Sequence, residues 1–377
     1  MTQDSPSRLS PLDAFHRELG AKMADFGGWM MPIEYPGEKG GVLAEHRAVR
    51  ERVGIFDVSH LGKASVSGAG AVDFLNTVLS NDLESIADGQ AQYNFLLDET
   101  GGVIDDLIVY RKSSTELFLI PNAANTSEVV KRIQSQAPSS ITVTNLHLDF
   151  AVIAVQGPNS LDLLRASGFD ESIATLAYMS FARVDWNGVP VILCRTGYTG
   201  EFGFEAVIPV EHHGEKSAWN LWNTFVKNLA HFDGAVVGLG ARDTLRTEMG
   251  YPLHGQDLSL EINPVEASAN WAVGWRKPRF NGRDALLAIK EKGAKRKSFA
   301  LRVNDRGIPR QGMTVVKDGR TIGFVTSGTF SPTLKSGIAL ALLEPTIKVG
   351  DQVDVEIRGR ISTAEVVKLP FVPSRVR

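Results

Sequence analysis

The sequence is poor in cysteine. Cys194 is the only one among 377 residues, which excludes an internal disulfide and a cysteine-rich zinc site. An excess of one charge is also missing. With 40 basic residues against 43 acidic ones and a net charge of −3, the chain does not read as a basic nucleic-acid-binding protein. No apolar run reaches the roughly 18 residues that span a bilayer. The polar Met1–Ser10 segment carries no apolar stretch of the kind a secretory signal needs. The phosphate-loop pattern G-x-x-x-x-G-K-[ST], the zinc-peptidase pattern H-E-x-x-H and the hydrolase elbow G-x-S-x-G are all lacking. These absences point to a soluble, cytoplasmic protein with neither membrane nor nucleic acid as partner, and with no metal site.

What is abundant is glycine, at 36 residues, within a composition that is 43% apolar and 22% charged. That balance belongs to a globular chain with many turns. Helical spacing is visible over Gly41–Arg52, with Val42, His46 and Val49 on one face and Arg47, Arg50 and Glu51 mostly on another, and again over Val72–Leu79. Ala91–Tyr110 reads as a hairpin turning at Asp98–Gly102, and Lys63–Ser67, Leu117–Pro121, Ala151–Val155 and Val189–Cys194 read as strands. Strands and helices interleave to about residue 275, which predicts a mixed body rather than a bundle. The segment Arg276–Lys297 then holds nine basic residues and only Asp284 and Glu291 against them. Within it, Asp284–Lys292 has the pattern of a short helix closed by Gly293. Beyond it apolar residues alternate at Phe299, Leu301 and Val303 and at Val353, Val355 and Ile357, with Asp318-Gly319 as a two-residue hairpin turn. A small C-terminal β-barrel or sandwich is expected there.

Three runs carry candidate chemistry. In Gly101–Tyr110, Asp105 and Asp106 are flanked by branched apolar residues, where an unpaired carboxylate costs several kcal/mol, roughly. Strand alternation predicts that they face opposite sides and do not share a pocket. Each is either a base or holder of a protonated nitrogen, or part of a pair that caps the neighbouring turn. In Arg195–Glu205, Gly197, Gly200 and Gly203 permit a sharp reversal close to a planar ligand. Glu205 there suits the paired N–H donors of a heterocycle, or else faces solvent from a strand. In Gly238–Glu248 a Gly-rich lead-in opens a helix whose first turn holds Arg242 and Asp243. The third glycine of a dinucleotide fingerprint is absent, so a backbone turn is the reading. His60 is either a cavity residue or a turn residue. Cys194, after an apolar strand, is expected to be buried and inert. The basic segment 276–297 is either a solvated linker or a docking patch for an acidic partner or a polyanionic tail.

Together these runs resemble the aminomethyltransferase, or T-protein, family of the glycine cleavage system. The resemblance rests on Asp25–Trp29 with Met31-Pro32, Glu45–Arg50, Gly54–His60, Gly101–Tyr110, Val155–Asn159, Arg195–Glu205, Gly238–Glu248 and Thr326–Leu334. They occur in the family's order over about residues 11–372. It implies an α+β, three-domain cloverleaf around a central folate cavity, with two intertwined subdomains in 1–280 (about 1–55 with 146–240, and 56–145 with 241–280) and a barrel in 290–377. It implies tetrahydrofolate as co-substrate and the lipoylated H protein as partner, with transfer of an aminomethyl carbon to give 5,10-methylenetetrahydrofolate and ammonia. By the same resemblance Asp106 is the catalytic residue, Glu205 and Arg242 hold the pteridine, and Tyr93, Asn122 and Tyr251 line the cavity.

The chain departs from the family pattern at Leu61, Phe202, His254 and Pro121. Phe202, where the family has an acid, and His254, where it has a tyrosine, bear on the donor side of the cavity. Two other readings share the scaffold. A stand-alone folate-dependent N-, O- or S-demethylase is the alternative. A non-enzymatic iron–sulfur assembly relative lacks support, because its K-G-C-[FY]-x-G-Q-E motif is absent.

Overall fold

A computed structural model describes residues 7–377. Its frame is one central strand, Phe150–Gln156, inside a six-stranded sheet. Every residue of that strand after Phe150 is buried. Because successive side chains leave opposite faces, Ala151, Ile153 and Val155 enter one core with Leu163, Trp222 and Phe225. Val152 and Ala154 enter another with Tyr110, Phe118 and Leu245. Each large side chain so buried contributes about 1.5–3 kcal/mol. The sheet runs Phe181–Trp186, Val189–Cys194, Gly203–Pro209, Phe150–Gln156, Gly54–Asp57, Ala235–Val236.

The second core lies between this sheet and a five-stranded one, ordered Ala91–Leu97, Val103–Ser113, Glu116–Ile120, Ala64–Gly68, Ile141–Asn145. Helices Ala71–Val78 and Thr126–Gln136 cover the outer face of the five-stranded sheet. A small sheet, Arg8–Leu9, Trp29–Glu34 and Lys22–Phe26, lies at the N-terminal side. Residues 297–367 close into a six-stranded barrel. Its hairpin at Asp318-Gly319 turns with both residues at positive φ, 51° and 74°, as a two-residue turn requires.

Helix Leu239–Met249 joins the pieces. It packs on the strand Trp29–Glu34, on the helix Val42–Glu51 and on the barrel strand Arg320–Ser331. Gly238 starts it against the Ile33 carbonyl, where a Cβ would come within 2.2 Å of the oxygen. Two of its buried charged side chains hold the barrel through hydrogen bonds to barrel hydroxyls, Ser327 and Thr333. Arg246 reaches Asp257 at 2.9 Å and Ser327 at 2.9 Å, and Glu248 accepts from Arg50 at 2.7 Å and from the Thr333 hydroxyl at 3.0 Å.

Two expectations change. Arg50 is not set apart with Arg47 and Glu51: it is buried with Glu45, His46 and Val49, and donates to Thr199, Glu201 and Glu248. The apolar spacing located the buried face, but that face also takes a charge because two carboxylates wait there for it. The basic segment is not uniformly solvated either. Lys277 is buried, its ammonium donating to the Leu79 and Asn81 carbonyls at 2.6 and 2.7 Å. The short helix is present as Arg283–Lys292, ended by Gly293 at φ 81°.

Candidate active site

The hairpin Ala91–Ser113 sets the first part of the site. Its tip is capped by Asp98, whose Oδ1 accepts from the Thr100 and Gly102 amides at 2.9 Å each. Asp105 and Asp106 are thus not needed for that turn. Phe95 pairs with Asp106 and Leu96 with Asp105, after which the register slips and Leu97 pairs with Val103. Tyr93 is the diagonal neighbour of Asp106 on the same face, and its hydroxyl donates to Asp106 Oδ2 at 2.8 Å. On the other edge Ile108 pairs with Ile120. Continuing that register brings Asn122 opposite Asp106.

Here the strict alternation of the two aspartates breaks down. The Asn122 side-chain nitrogen donates to Asp105 Oδ1 at 2.9 Å and to Asp106 Oδ1 at 2.8 Å. The Asn122 backbone amide and the Asn125 side chain also donate to Asp105, at 3.0 and 2.7 Å. The carboxylates therefore meet at one amide instead of serving separate faces. The irregularity beside Ile104 adds twist at this point, and Asn122, just past the neighbouring strand, reaches both. Asp105 is fully buried, whereas Asp106 keeps partial exposure.

Burial raises both carboxyl pKa values, that of Asp105 well above its usual range with the Asp106 charge adding to the effect. The Tyr93 hydroxyl, His254 and the Asn122 amide pull Asp106 back down. Burial and the Asp106 charge keep Tyr93 protonated far above neutral pH, so it stays a donor.

The second part comes from the turn after Val189–Cys194. Gln156 braces it, donating to the Thr196 and Phe204 carbonyls at 3.2 and 3.1 Å and accepting from Thr199 at 2.7 Å. Gly200 sits at φ 79°, and a Cβ there would lie 2.0 Å from the Met249 sulfur. Glu205 is buried, not solvent-facing, and Thr196 donates to its Oε2 at 2.6 Å.

Arg242, in the first turn of helix Leu239–Met249, lies 4.8 Å over the Tyr198 ring. Its Nη1 is enclosed without a partner. The Glu205 charge acts on it, against a burial that lowers its pKa. Tyr198 connects the two parts, since both Asp106 and Arg242 act on its hydroxyl, whose pKa burial raises. That hydroxyl donates to the Pro252 carbonyl, and the Tyr251 ring stacks on Tyr198 at 5.7 Å.

All six residues selected from the sequence thus fall in one neighbourhood. Asp106, Tyr93 and Asn122 are in direct contact, Glu205 and Arg242 form a second group, and Tyr251 supports the tyrosine between them. Asp106, Tyr93, Tyr198 and Arg242 are deeply placed yet reachable by solvent, which is the signature of side chains lining a recess. A carboxylate held by a phenol and an amide beside such a recess can steady a developing cation or take a proton.

Sequence reasoning missed three contributors. Tyr198 stood in the glycine run without a role, Asn125 followed Asn122 in the same loop, and Trp271, stacked on Tyr93 at 5.2 Å, lies in no motif. His60 occupies a turn and is also buried, with Nδ1 lacking a partner. Burial and the Arg242 charge press its pKa down to about 3, so it is neutral. Of the departures, Phe202 packs beneath the Arg195 guanidinium at 3.7 Å. His254 contacts Asn125 and the Val103 carbonyl, each at 3.1 Å, and so braces the aspartate loop. Cys194 is buried, and its thiol pKa is raised by that burial.

Comparison with known proteins bears on the whole chain. The GCVT N-terminal domain family matches residues 12–277, and the glycine cleavage T-protein C-terminal barrel domain family matches residues 296–373. The chain belongs to the glycine cleavage T-protein family. It is 58% identical over 371 residues to an aminomethyltransferase of Parafrankia sp. (strain EAN1pec), covering 98% of this chain and 99% of that one. With an aminomethyltransferase of Mycobacterium avium (strain 104) the identity is 49% over 379 residues, covering 100% of both. A crystal structure of glycine cleavage system aminomethyltransferase T from Bartonella henselae superposes with a TM-score of 0.89 at 33% identity, covering 98% of this chain and 99% of that one. The family's barrel domain corresponds to the closed barrel seen here.

Proposed function

We propose that this chain is the aminomethyltransferase of a glycine cleavage system, taking the aminomethyl group from the dihydrolipoyl arm of the H protein and delivering its carbon to tetrahydrofolate. The observation that carries the reading is the pairing of a restrained carboxylate with a waiting cation. Asp106 is held by Tyr93 and Asn122, while Arg242 is nearly enclosed yet makes no hydrogen bond or ion pair among the described residues. Leaving its enclosed Nη1 without an acceptor costs about 1–3 kcal/mol unless a ligand meets it. An electron-rich heterocycle with both donors and acceptors on its edge fits Arg242 and Glu205 together.

In the transfer, the donor carbon loses its bonds to sulfur and to the amine and gains bonds to folate N5 and N10. The two protons those nitrogens lose go to the sulfur and to the departing ammonia, so no oxidant or reductant is required. Asp106 is the catalytic residue: its carboxylate stabilises the positive one-carbon centre and carries a proton between nitrogen and leaving group. Tyr93 and Asn122 hold that carboxylate in place, and Tyr251 backs Tyr198 against Arg242. Holding both reactants beside Asp106 supplies much of the acceleration, since well-oriented groups gain on the order of 7–11 kcal/mol over a bimolecular encounter. A cytoplasmic setting is part of this reading, and no helix among the described residues is long and apolar enough to cross a membrane.

The test is ammonia release from aminomethyl-loaded H protein, with and without tetrahydrofolate. Release that depends on tetrahydrofolate, with 5,10-methylenetetrahydrofolate formed in equal amount, is the expected result. Demethylation of a methylated amine with no ammonia from the loaded carrier would replace this reading.

A further inference from the structure

Trp271 is 67% exposed, more than any other large apolar side chain among the described residues. Its backbone is nonetheless fixed. The turn Asn270–Ala272 is held by Ser80, whose hydroxyl donates to the Ala272 carbonyl at 2.8 Å, and by the Trp275 indole, which donates to the Asn270 carbonyl at 3.1 Å. Ala269, Ala272 and Val273 on either side are buried in the core that Tyr93 borders. One face of the Trp271 indole stacks on Tyr93 at 5.2 Å and 27°, and Tyr93 donates to Asp106. The indole is thus a fixed, water-facing aromatic surface only one side chain removed from the reactive carboxylate.

We propose that Trp271 is a positioning residue for the donor, its indole face guiding the aminomethyl-dihydrolipoyl arm from the protein surface to Asp106. This rests on the function proposed above. Two substrates must bring atoms to the same carboxylate. The polar groups suited to a heterocycle, Glu205 and Arg242, reach it by way of Tyr198, whereas Trp271 reaches it by way of Tyr93. A carrier protein cannot enter a recess of this kind, so its arm starts at the surface, where Trp271 stands. The arm offers an alkyl chain, a thioether sulfur and a terminal ammonium. Indole suits all three, through apolar contact, sulfur–aromatic contact and cation–π attraction.

The experiment compares wild-type protein with the variants Trp271→Ala and Trp271→Phe. Steady-state ammonia release is measured as a function of loaded H protein at saturating tetrahydrofolate, and tetrahydrofolate affinity is measured separately by calorimetry. Trp271→Ala should raise the KM for the loaded carrier about tenfold while leaving kcat at saturation within about twofold, and Trp271→Phe should recover most of the loss. Tetrahydrofolate affinity and thermal stability should stay near wild type, because the side chain is exposed. A KM for the carrier that does not change in Trp271→Ala overturns the proposal. A loss of tetrahydrofolate affinity matching the loss in KM overturns it too, and makes the indole a folate contact. Wild-type protein that releases no ammonia from the loaded carrier overturns the proposed function itself, and this inference with it.

Discussion

Tyr93 donates its hydroxyl hydrogen to Asp106 across 2.8 Å, from the diagonal position on the adjacent strand of the hairpin. This bond is among the influences that pull the Asp106 pKa down against burial. Removing it has two readable consequences. In Tyr93→Phe, kcat should fall about tenfold, the value of one hydrogen bond to a charged group. Burial already places the acid limb of the wild-type rate profile above the ordinary aspartate range, since the carboxylate is the active form. Loss of the phenol should move that limb to still higher pH. A profile of kcat against pH for both proteins decides it; an unmoved limb would detach Tyr93 from the titration of Asp106.

The two adjacent aspartates should separate by function although they share Asn122. Asp106→Asn should reduce turnover by about 100-fold or more, with a far smaller change in tetrahydrofolate affinity. Asp105→Asn should mainly destabilise, because three N–H groups now converge on Asp105 and an amide there presents N–H to N–H. The cost is on the order of 1–3 kcal/mol. Denaturant melts and single-turnover rates on the folded fraction distinguish the cases, and the reverse pattern would exchange the roles.

Glu205→Gln should weaken tetrahydrofolate binding by about 1–3 kcal/mol, as a charge-assisted contact becomes a neutral one. The hydroxyl of Thr196 still finds an acceptor in that variant, so stability should change little. Calorimetry against circular dichroism melts checks both halves.

Arg242→Gln should show the opposite balance. It removes a partly buried charge whose Nη1 has no acceptor among the described residues, so the ligand-free variant should melt at or above the wild-type temperature. The stabilisation that tetrahydrofolate gives the wild type should largely disappear. A variant that melts lower without ligand would mean that Arg242 is already satisfied within the fold.

Acid stability should report on Asp57. Burial opposes its charge, but His16, Ser10 and Ser59 overcome that and hold the carboxyl at about 2 against an ordinary 3.8. A depressed folded pKa means that the stabilisation is present above about pH 4 and lost as pH falls toward 2. At about 1.4 kcal/mol per unit, the gap in unfolding free energy between wild type and Asp57→Asn should be on the order of 2 kcal/mol near pH 6. It should narrow through pH 4 to 2 in urea titrations; a constant gap would mean that Asp57 acts through shape alone.

The local elements and the family were determined by the sequence itself. A short apolar run marks the strand Val189–Cys194, the Asp318-Gly319 turn follows from the demand for two positive φ angles, and the ordered motifs carry the family because each states a local backbone requirement. Periodicity works where the neighbours on a face are all apolar. It misplaced Arg50, whose burial depends on Glu201 and Glu248 arriving from about 150 and 200 residues away. Only the tertiary structure decided the character of the aspartate pair, because alternation along an ideal strand cannot foresee a register slip or an asparagine reaching both carboxylates from the next strand. It alone placed Tyr198 between Asp106 and Arg242 and Trp271 against Tyr93. Such contacts are distances between segments remote in the chain, and a residue's type and spacing carry no record of what will face it once the sheets close.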